Sequence, residues 1–335
     1  MKTGRITNIA MITAGVILLL LPFVYESRPL IILLTKIFIF AIFAMSYDIL
    51  LGFTGIVSFG HAMFFGLGAY STAIFINRME SSLTWIIISI LVALFLSLLL
   101  SVIVGLLTLR LKSHFYAMLT LAFASLFLVI AEKWRDLTAG NDGFTFRLPE
   151  VLRDRTTFYI VCLLLMLAVF FLLKRITDSP LGKVLMAIRE NEQRVESLGF
   201  NPLYYKVVAT IVAGLTATLA GSLYAMSLRF VNTNVFAIDI TLDALLMTII
   251  GGVGTLIGPI VGAGLIEVVH EWLSDLARDF PIFERWMILF GIVYILAVIF
   301  FPAGIVGTIR AWVEKRKAKR ANRLAINNEN KAVQG

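Results

Sequence analysis

The sequence predicts an all-α membrane protein, a polytopic bundle with about ten transmembrane spans (between about eight and ten). Of the 335 residues, 59% are hydrophobic and 15% are charged, whereas a soluble protein of this size carries about a quarter charged residues. The mean hydropathy is +0.93. Uncharged runs such as residues 9–25, 89–109 and 158–173 approach the roughly 20 residues that a helix needs to cross a bilayer.

The predicted spans are residues 9–25, 30–51, 60–76, 84–109, 115–131, 157–173, 206–226, 240–257, 259–273 and 285–304. Glycines interrupt the apolar runs between residues 240 and 273, so the span boundaries are least well defined there. The first run follows Lys2 and Arg5, as in a signal peptide, but it ends in Leu21-Pro22-Phe23 without a small-residue cleavage pattern. We interpret it as a retained spanning helix.

The distribution of basic residues predicts the orientation of the bundle, because lysine and arginine concentrate in cytoplasmic loops. With both termini in the cytoplasm, the basic tail that contains Lys315, Arg316 and Lys317 lies on the inner side. The predicted organisation is a transmembrane domain over residues 1–305, including a cytoplasmic loop at 174–205, followed by a basic cytoplasmic tail over 306–335. The net charge of +8 is then explained by basic residues beside the membrane rather than by nucleic-acid binding.

The inner loop contains the stretch "DSPLGKVLMAIRENEQRVESLGFNP". Ser179 and Pro180 are typical of a helix start, and Asn191 is a suitable cap for a second short helix that ends before Gly199. An interfacial helix on lipid and a docking helix for another protein are both compatible with the apolar face of the first helix. The polar face mixes acidic and basic side chains, which favours a protein partner; these are Arg189, Glu190, Glu192, Arg194 and Glu196.

Two glycine-rich stretches, residues 52–70 and 251–264, interrupt the apolar runs in the two halves of the chain. Paired interruptions of this kind point to the substrate path of transporters, while glycine also permits close helix packing. Both interpretations remain open for each position. The candidate residues for the translocation path or for helix packing are Gly52, Gly55, Ser58, Gly60, His61, Gly251, Gly252, Gly254 and Gly258.

Ionisable residues in the predicted spans include Lys36, Asp48, His61, Glu267 and His270, and such groups are costly in a membrane. A histidine that is hydrogen-bonded inside the bundle is the expected state of His61 and His270. Too few further ligands are evident for a metal site, so none is predicted. The single cysteine is expected to be a buried packing residue. No phosphate-binding loop, nucleophile elbow or zinc-protease motif occurs, so we expect no catalytic residue and no ATPase activity in this chain.

The motifs "LLGFTGIVSFGHAMFFGLGAY", "TAGNDGF", "SPLGKVLMAIRENEQRVESLGFNPLYYKV", "AGLTATLAGSLYA" and "GGVGTLIGPIVGAG" follow one another along the chain. Together they resemble the LivM-type permeases of branched-chain amino acid ABC importers, the LivH/LivM family. Asp48 departs from the asparagine that is more common there.

The resemblance implies a multi-pass subunit of the bacterial inner membrane that imports leucine, isoleucine and valine. The implied partners are a LivH-like second permease, two cytoplasmic ATP-binding subunits and a periplasmic or lipid-anchored substrate-binding protein. ATP would bind to the partner subunits, and no cofactor is implied for this chain. The residues implied in coupling to the ATPases are Arg189, Glu190, Glu196 and Gly199.

Two alternatives remain at this point. A permease of the related urea and short-chain amide importers has much the same architecture. A stand-alone secondary transporter, which belongs to a different class, would use Asp48, His61 or Glu267 as a proton or ion site. A carrier of that kind has no need of the mixed-charge helix pair in the inner loop, so this loop favours the importer.

Overall fold

The structure, a computed structural model, describes residues 2–24, 27–79, 82–108, 113–279 and 304–308, together with Gly291 and Ile295. Its α-helices in this part of the chain are α1 (Lys2–Val24), α2 (Arg28–Thr54), α3 (Ala62–Arg78), α4 (Leu83–Thr108), α5 (Ser113–Lys133), α6 (Arg135–Thr138), α7 (Glu150–Arg153), α8 (Arg155–Thr177), α9 (Pro180–Glu190), α10 (Glu192–Ser197), α11 (Pro202–Leu228), α12 (Ile238–Gly251) and α13 (Ile257–Asp279). Two 3-10 helices, Gly140–Asp142 and Thr233–Phe236, and the strands β1 (Phe144–Thr145) and β2 (Phe230–Val231) complete the described elements.

The predicted helical membrane bundle is confirmed. Among the described residues, α2, α4, α5, α8 and α11 are long and apolar enough to cross a membrane. Further predicted spans coincide with α1, α3, α12 and α13. Of the predicted span 285–304, the structure describes Gly291, Ile295 and Gly304, and the rest of that span and the tail beyond residue 308 lie outside the described residues. The antiparallel pairing of β1 with β2 was not predicted.

Helices α3 and α12 are shorter than the other spanning helices, and each adjoins an irregular glycine-containing segment. Residues 55–61 separate α2 from α3, and residues 252–256 separate α12 from α13. The prediction that residues 240–257 form one span is therefore wrong at its end, since α12 ends at Gly251. Glycine frees the backbone to leave the helical conformation at these points.

Helix α2 passes through the centre of the bundle. From Ile37 to Leu50 every residue is at most 9% exposed, and α2 packs against α8, α11, α12 and α13. A helix that is apolar on all sides is expected to be surrounded by protein. In contrast, α4 exposes Ile87, Leu91 and Phe95 on one face, as expected of a helix that contacts lipid.

Helices α3 and α11 run parallel and in close contact. The hydroxyl of Thr218 donates to the carbonyl of Phe64 at 3.1 Å, and Ser222 donates to Gly68 at 3.2 Å. Small residues and interhelical hydroxyl bonds are typical of such packing in membranes. Because residue 64 lies beside residue 218, α3 begins level with the middle of α11. The segment 55–61 therefore runs from the end of α2 back into the middle of the bundle.

The two ends of the bundle differ. One end carries α9 and α10, which lie between α8 and α11 in the chain. The other end, which we call the arginine end, carries α6, α7 and the β1–β2 pair. There, the "TAGNDGF" motif is joined to the start of the Thr233–Phe236 helix by a hydrogen bond of 2.9 Å from the Thr233 hydroxyl to Asn141 Oδ1. Cys162 is fully buried in α8, which confirms its expected role as a packing residue.

Candidate functional site

The first glycine segment begins where α2 ends. Gly55 adopts a left-handed conformation with φ 72°, a backbone geometry that favours glycine. Its N–H bonds to the Leu51 carbonyl at 3.2 Å, and the N–H of Ile56 bonds to Leu50 at 3.0 Å. These bonds close the end of α2 and leave the carbonyl of Gly52 free for a partner outside the helix.

The second glycine segment separates α12 from α13. Gly252, Gly254 and Leu256 have φ angles of 129°, 78° and 55°. A non-glycine residue in the left-handed region costs about 1–2 kcal/mol, so other contacts must hold Leu256 in place. Thr255 supports the turn, because its hydroxyl donates to Gly252 at 2.8 Å and accepts the N–H of Gly258 at 2.9 Å.

The two glycine segments meet at the buried carboxylate of Asp48. Its Oδ1 accepts the N–H of Gly254 at 2.7 Å, and its Oδ2 accepts the N–H of Leu256 at 3.2 Å. Gly52 lies against the same turn, since a Cβ added to Gly52 would be 2.5 Å from the nitrogen of Gly254. The two glycine stretches are therefore in direct contact, which does not by itself distinguish a translocation path from helix packing.

Arg189 joins the α9 end of the bundle to this contact. Its Nη1 donates to the free carbonyl of Gly52. The side chain occupies a slot between two glycines: an added Cβ would be 3.1 Å from Arg189 Cγ at Gly55 and 3.3 Å from Nη1 at Gly254. We call the group formed by Asp48, Gly52, Gly55, Gly254, Leu256 and Arg189 the glycine junction.

His61 lies deeper in the bundle, at the start of α3. It is fully buried, and its Nε2 is 2.7 Å from the Ser46 hydroxyl. Because that hydroxyl donates its hydrogen to the carbonyl of Phe43, we assign the proton of this contact to His61 Nε2. Aromatic rings of Phe43, Tyr47 and Phe64 surround the imidazole. The expectation of a hydrogen-bonded histidine inside the bundle is confirmed.

The remaining candidate glycines lie at close backbone contacts. A side chain at Gly60 would collide with the carbonyl of Thr120, and one at Gly251 with the carbonyl of Gly258. Ser58 is buried, and its hydroxyl accepts the N–H of Gly60 at 3.4 Å. Gly60, Gly251, Gly252 and Gly258 thus fit the packing interpretation, whereas Gly52, Gly55 and Gly254 belong to the glycine junction.

A second charged contact joins α2 to α13. Lys36 Nζ is 2.7 Å from Glu267 Oε2, and the two side chains are 33% and 6% exposed. The ammonium also lies 5.9 Å from the centre of the Phe40 ring. The sequence analysis identified Lys36 and Glu267 as unusual charges in predicted spans, but it did not predict that they form an ion pair. Within the described ranges, no group of three or more potential ligands could hold a metal ion.

Helices α9 and α10 form the predicted helix pair. The apolar face of α9, with Leu185 and Ile188, is buried against its own bundle. Asn191 caps α10 by accepting the N–H of Arg194 at 2.9 Å, as predicted. Gly199 has φ 87°, and a Cβ added to it would have no neighbour within 4 Å.

The outer side of this helix pair is exposed. It includes Glu190, Glu196, Leu198 and Phe200. Ser179 precedes α9 as predicted, but its hydroxyl donates to the Ile176 carbonyl rather than capping the helix.

Basic side chains collect at the arginine end. Arg28, Arg153 and Arg155, with Asp154, line a cavity of about 630 Å³. Arg229 lies close by and donates to the Arg153 carbonyl at 2.7 Å. The Asp154 carboxylate caps α8, and the hydrogen bonds from Thr157 lower the pKa of this carboxyl below its usual value. The cavity therefore combines several cations with an acid that is already hydrogen-bonded.

Comparison with known proteins assigns the chain to a family. A family model described as "Branched-chain amino acid transport system / permease component" matches residues 30–298. The chain is 26% identical to the high-affinity branched-chain amino acid transport system permease protein LivM of Escherichia coli strain K12, over 85% of this chain and 71% of that protein. A probable LivM protein of Methanocaldococcus jannaschii is 24% identical, over 80% of this chain and 90% of that protein.

A more distant similarity covers part of the chain. The galactofuranose transporter permease protein YtfT of Escherichia coli is 30% identical over 36% of each chain. No solved structure matches the chain. Since the family model spans most of the sequence and includes the glycine junction, α9 and α10, the chain belongs to the family of branched-chain amino acid transport system permease components, which are membrane subunits of transporters and not enzymes.

Proposed function

We propose that this chain is the LivM-type permease subunit of an ATP-driven ABC importer for branched-chain amino acids, with leucine, isoleucine and valine as substrates. The observation that carries the proposal is the family match over residues 30–298, which contains the glycine junction and helices α9 and α10. The names of the E. coli and M. jannaschii relatives supply the substrate class.

In the proposed topology, about ten helices cross the bacterial inner membrane and both termini lie in the cytoplasm. The α9–α10 end is then cytoplasmic and the arginine end faces the periplasm. The basic tail after residue 308 supports this orientation, because positive residues concentrate on the cytoplasmic side of membrane proteins.

Helices α9 and α10 are proposed to seat one of two cytoplasmic ATP-binding subunits. The apolar face of α9 is occupied by its own bundle, so it is not available to lie on lipid. The exposed side carries both charges, with Glu190, Arg194 and Glu196, and the apolar residues Leu198, which is 71% exposed, and Phe200. Mixed charges beside exposed apolar groups suit a protein partner. Open space at Gly199 allows a partner to approach the backbone there.

The other partners are a LivH-like second permease, which completes the translocation path, and a periplasmic or lipid-anchored substrate-binding protein. Arg28, Arg153 and Arg155 at the arginine end provide positive charge for an acidic surface on the binding protein. ATP binds to the partner ATPases, and this chain holds no cofactor. The glycine segments are proposed to lie beside the translocation path.

The geometry gives less support to a stand-alone ion-coupled carrier. The carboxylate of Asp48 is used by two backbone N–H groups, and His61 is enclosed by aromatic rings. Glu267 is already paired with Lys36. An ion site requires groups that can exchange their partners with solvent.

The test is uptake by proteoliposomes that contain this chain, the second permease and both ATPases, with the binding protein added outside and ATP enclosed. We expect ATP-dependent uptake of labelled leucine and no uptake of urea. Leucine uptake that follows a proton or sodium gradient without ATP would establish the secondary transporter. Uptake of urea instead of leucine would show that the chain is a permease of a urea or short-chain amide importer.

A further inference from the structure

We propose that Arg189 is a positioning residue through which movement of α9 changes the geometry of the glycine junction. The inference rests on the proposed function, because the movement of α9 is taken to come from the ATPases. In this proposal the Arg189 side chain connects the cytoplasmic helix pair, α9 and α10, to the two irregular segments inside the bundle, residues 55–61 and 252–256.

Arg189 caps α2 from a different element. The last carbonyls of a helix have no partner within the helix, and α2 has no basic residue in its last turn. Arg189 donates to one of these carbonyls, that of Gly52, and its positive charge is favourable at the negative end of the helix dipole. Withdrawal of Arg189 would therefore change the end of α2 directly.

The Arg189 side chain lies against two glycines, and their lack of side chains leaves the space that it occupies. Gly55 and Gly254 flank it, and an added Cβ at either position would come within about 3 Å of its atoms. Leu185 and Ile188 pack α9 against the bundle, and Arg189, although its residue is exposed, is tied to α2 through its bond to the Gly52 carbonyl. A displacement of α9 is thus passed to the backbone at residues 52–55 and 254.

The effect extends to the second glycine segment through Asp48. Asp48 lies one turn before Gly52 in α2, and it holds the N–H groups of Gly254 and Leu256. Leu256 is kept in the left-handed region, with φ 55°. A residue held in a sparsely populated conformation can relax when its constraints are removed. The segment 252–256 is therefore the element that would switch between two arrangements when Arg189 moves.

The experiment compares Arg189→Met with Lys183→Met, a matched change at an exposed position of the same helix. The reconstituted importer is assayed for leucine uptake and for ATP hydrolysis, and their ratio is the readout. We expect Arg189→Met to retain ATP hydrolysis while the ratio falls by about 5- to 150-fold, the usual range of an allosteric coupling. Lys183→Met is expected to keep the wild-type ratio.

A second measurement reports on the junction itself. Hydrogen exchange of a peptide that covers residues 250–258 is measured in the assembled, nucleotide-free complex. We expect faster exchange at Gly254 and Leu256 in Arg189→Met, because their acceptor Asp48 lies beside the altered end of α2. Lys183→Met should leave the exchange unchanged. A purely structural defect would instead raise exchange throughout the bundle.

An unchanged uptake-to-hydrolysis ratio in Arg189→Met would overturn the inference. So would a proportional loss of uptake and hydrolysis in an intact complex, since that result places Arg189 in ATPase docking. If the complex with Arg189→Met does not assemble, the Arg189→Lys variant is measured instead. An uptake-to-hydrolysis ratio between those of an uncoupled and a wild-type complex supports the inference, and a wild-type ratio contradicts it. If the wild-type complex shows no ATP-driven leucine uptake, the proposed function fails, while the exchange measurement still tests the contact.

Discussion

Asp48 and Gly254, which are 206 residues apart in the sequence, are joined by a hydrogen bond of 2.7 Å from the Gly254 N–H to the Asp48 carboxylate. The same carboxylate accepts the N–H of Leu256. One buried side chain thus fixes the end of α2 against the break between α12 and α13.

Replacement of Asp48 should destabilise the complex in a graded way. Asp48→Ala leaves two buried N–H groups without an acceptor, at a cost of about 1–3 kcal/mol each. Asp48→Asn keeps one acceptor oxygen, so we expect its thermal unfolding midpoint in detergent to lie between those of Asp48→Ala and the wild type. Equal midpoints for all three proteins would show that these hydrogen bonds do not hold the two segments together.

Close backbone packing predicts different outcomes for two glycines near α13. Gly251→Ala places a methyl group on the carbonyl of Gly258, whereas the nearest atom to a Cβ at Gly264 is 3.9 Å away. We expect Gly251→Ala to reduce the yield of monodisperse protein in size-exclusion chromatography. Gly264→Ala should keep or raise it, because alanine favours a helix over glycine by about 1 kcal/mol. Similar yields for both variants would contradict the packing interpretation.

The Lys36–Glu267 pair should show strong coupling in a double-mutant cycle. Lys36→Met leaves the nearly buried carboxylate of Glu267 without its partner, at a cost of about 3–5 kcal/mol. Glu267→Gln should cost less, since Lys36 is 33% exposed and keeps contact with solvent. We expect the double variant to be more stable than Lys36→Met alone, as measured by thermal unfolding. Additive losses would mean that the two charges act independently.

His61 is expected to affect assembly rather than substrate preference. His61→Phe removes the hydrogen bond to Ser46 while keeping an aromatic ring among Phe43, Tyr47 and Phe64. The measurements are the yield of the complex with its partner subunits and the competition of unlabelled leucine, isoleucine and valine with labelled leucine. We expect a lower yield and the same order of competition. A changed order at normal yield would make His61 a substrate-contacting residue.

The proposed ATPase seat is tested by the double variant Glu196→Lys with Gly199→Leu. It reverses one exposed charge and places a side chain in the open space at Gly199, where φ is 87°. We expect normal membrane insertion and loss of the ATP hydrolysis that substrate-loaded binding protein stimulates in vesicles. If this stimulation of ATP hydrolysis were unchanged, α10 would have no part in coupling to the ATPases.

Much of the helical architecture could be predicted from the sequence, because long apolar runs leave little choice of structure in a membrane. The break at 252–256 was less well predicted. Glycines marked it, but the end of α12 at Gly251 depends on contacts with Gly258 and with α2. The two-residue strands β1 and β2 give no periodic signal, so their pairing could not be predicted.

The residues of the site were identified more readily than their contacts. The glycines of both segments and Arg189 stood out in the sequence. However, nothing in one sequence relates Asp48 to an N–H more than 200 residues away. Arg189 was assigned to the charged outer face of its helix, since periodicity cannot show that the guanidinium reaches the end of α2. The position of the guanidinium depends on how α9 packs against the end of the bundle.

The central position of α2 has a consequence for biogenesis. A ribosome adds about 5–20 residues per second, so the donors at Gly254 and Leu256 are made about 10–40 s after Asp48. During that interval the carboxylate must be accommodated by water, lipid headgroups or the insertion machinery. Helix α2, around which the other helices pack, is thus the second helix to be inserted. The hydrogen bonds of its Asp48 carboxylate form only when most of the chain has been made. Release of this chain from the machinery that inserts it is expected to depend on the arrival of the second glycine segment.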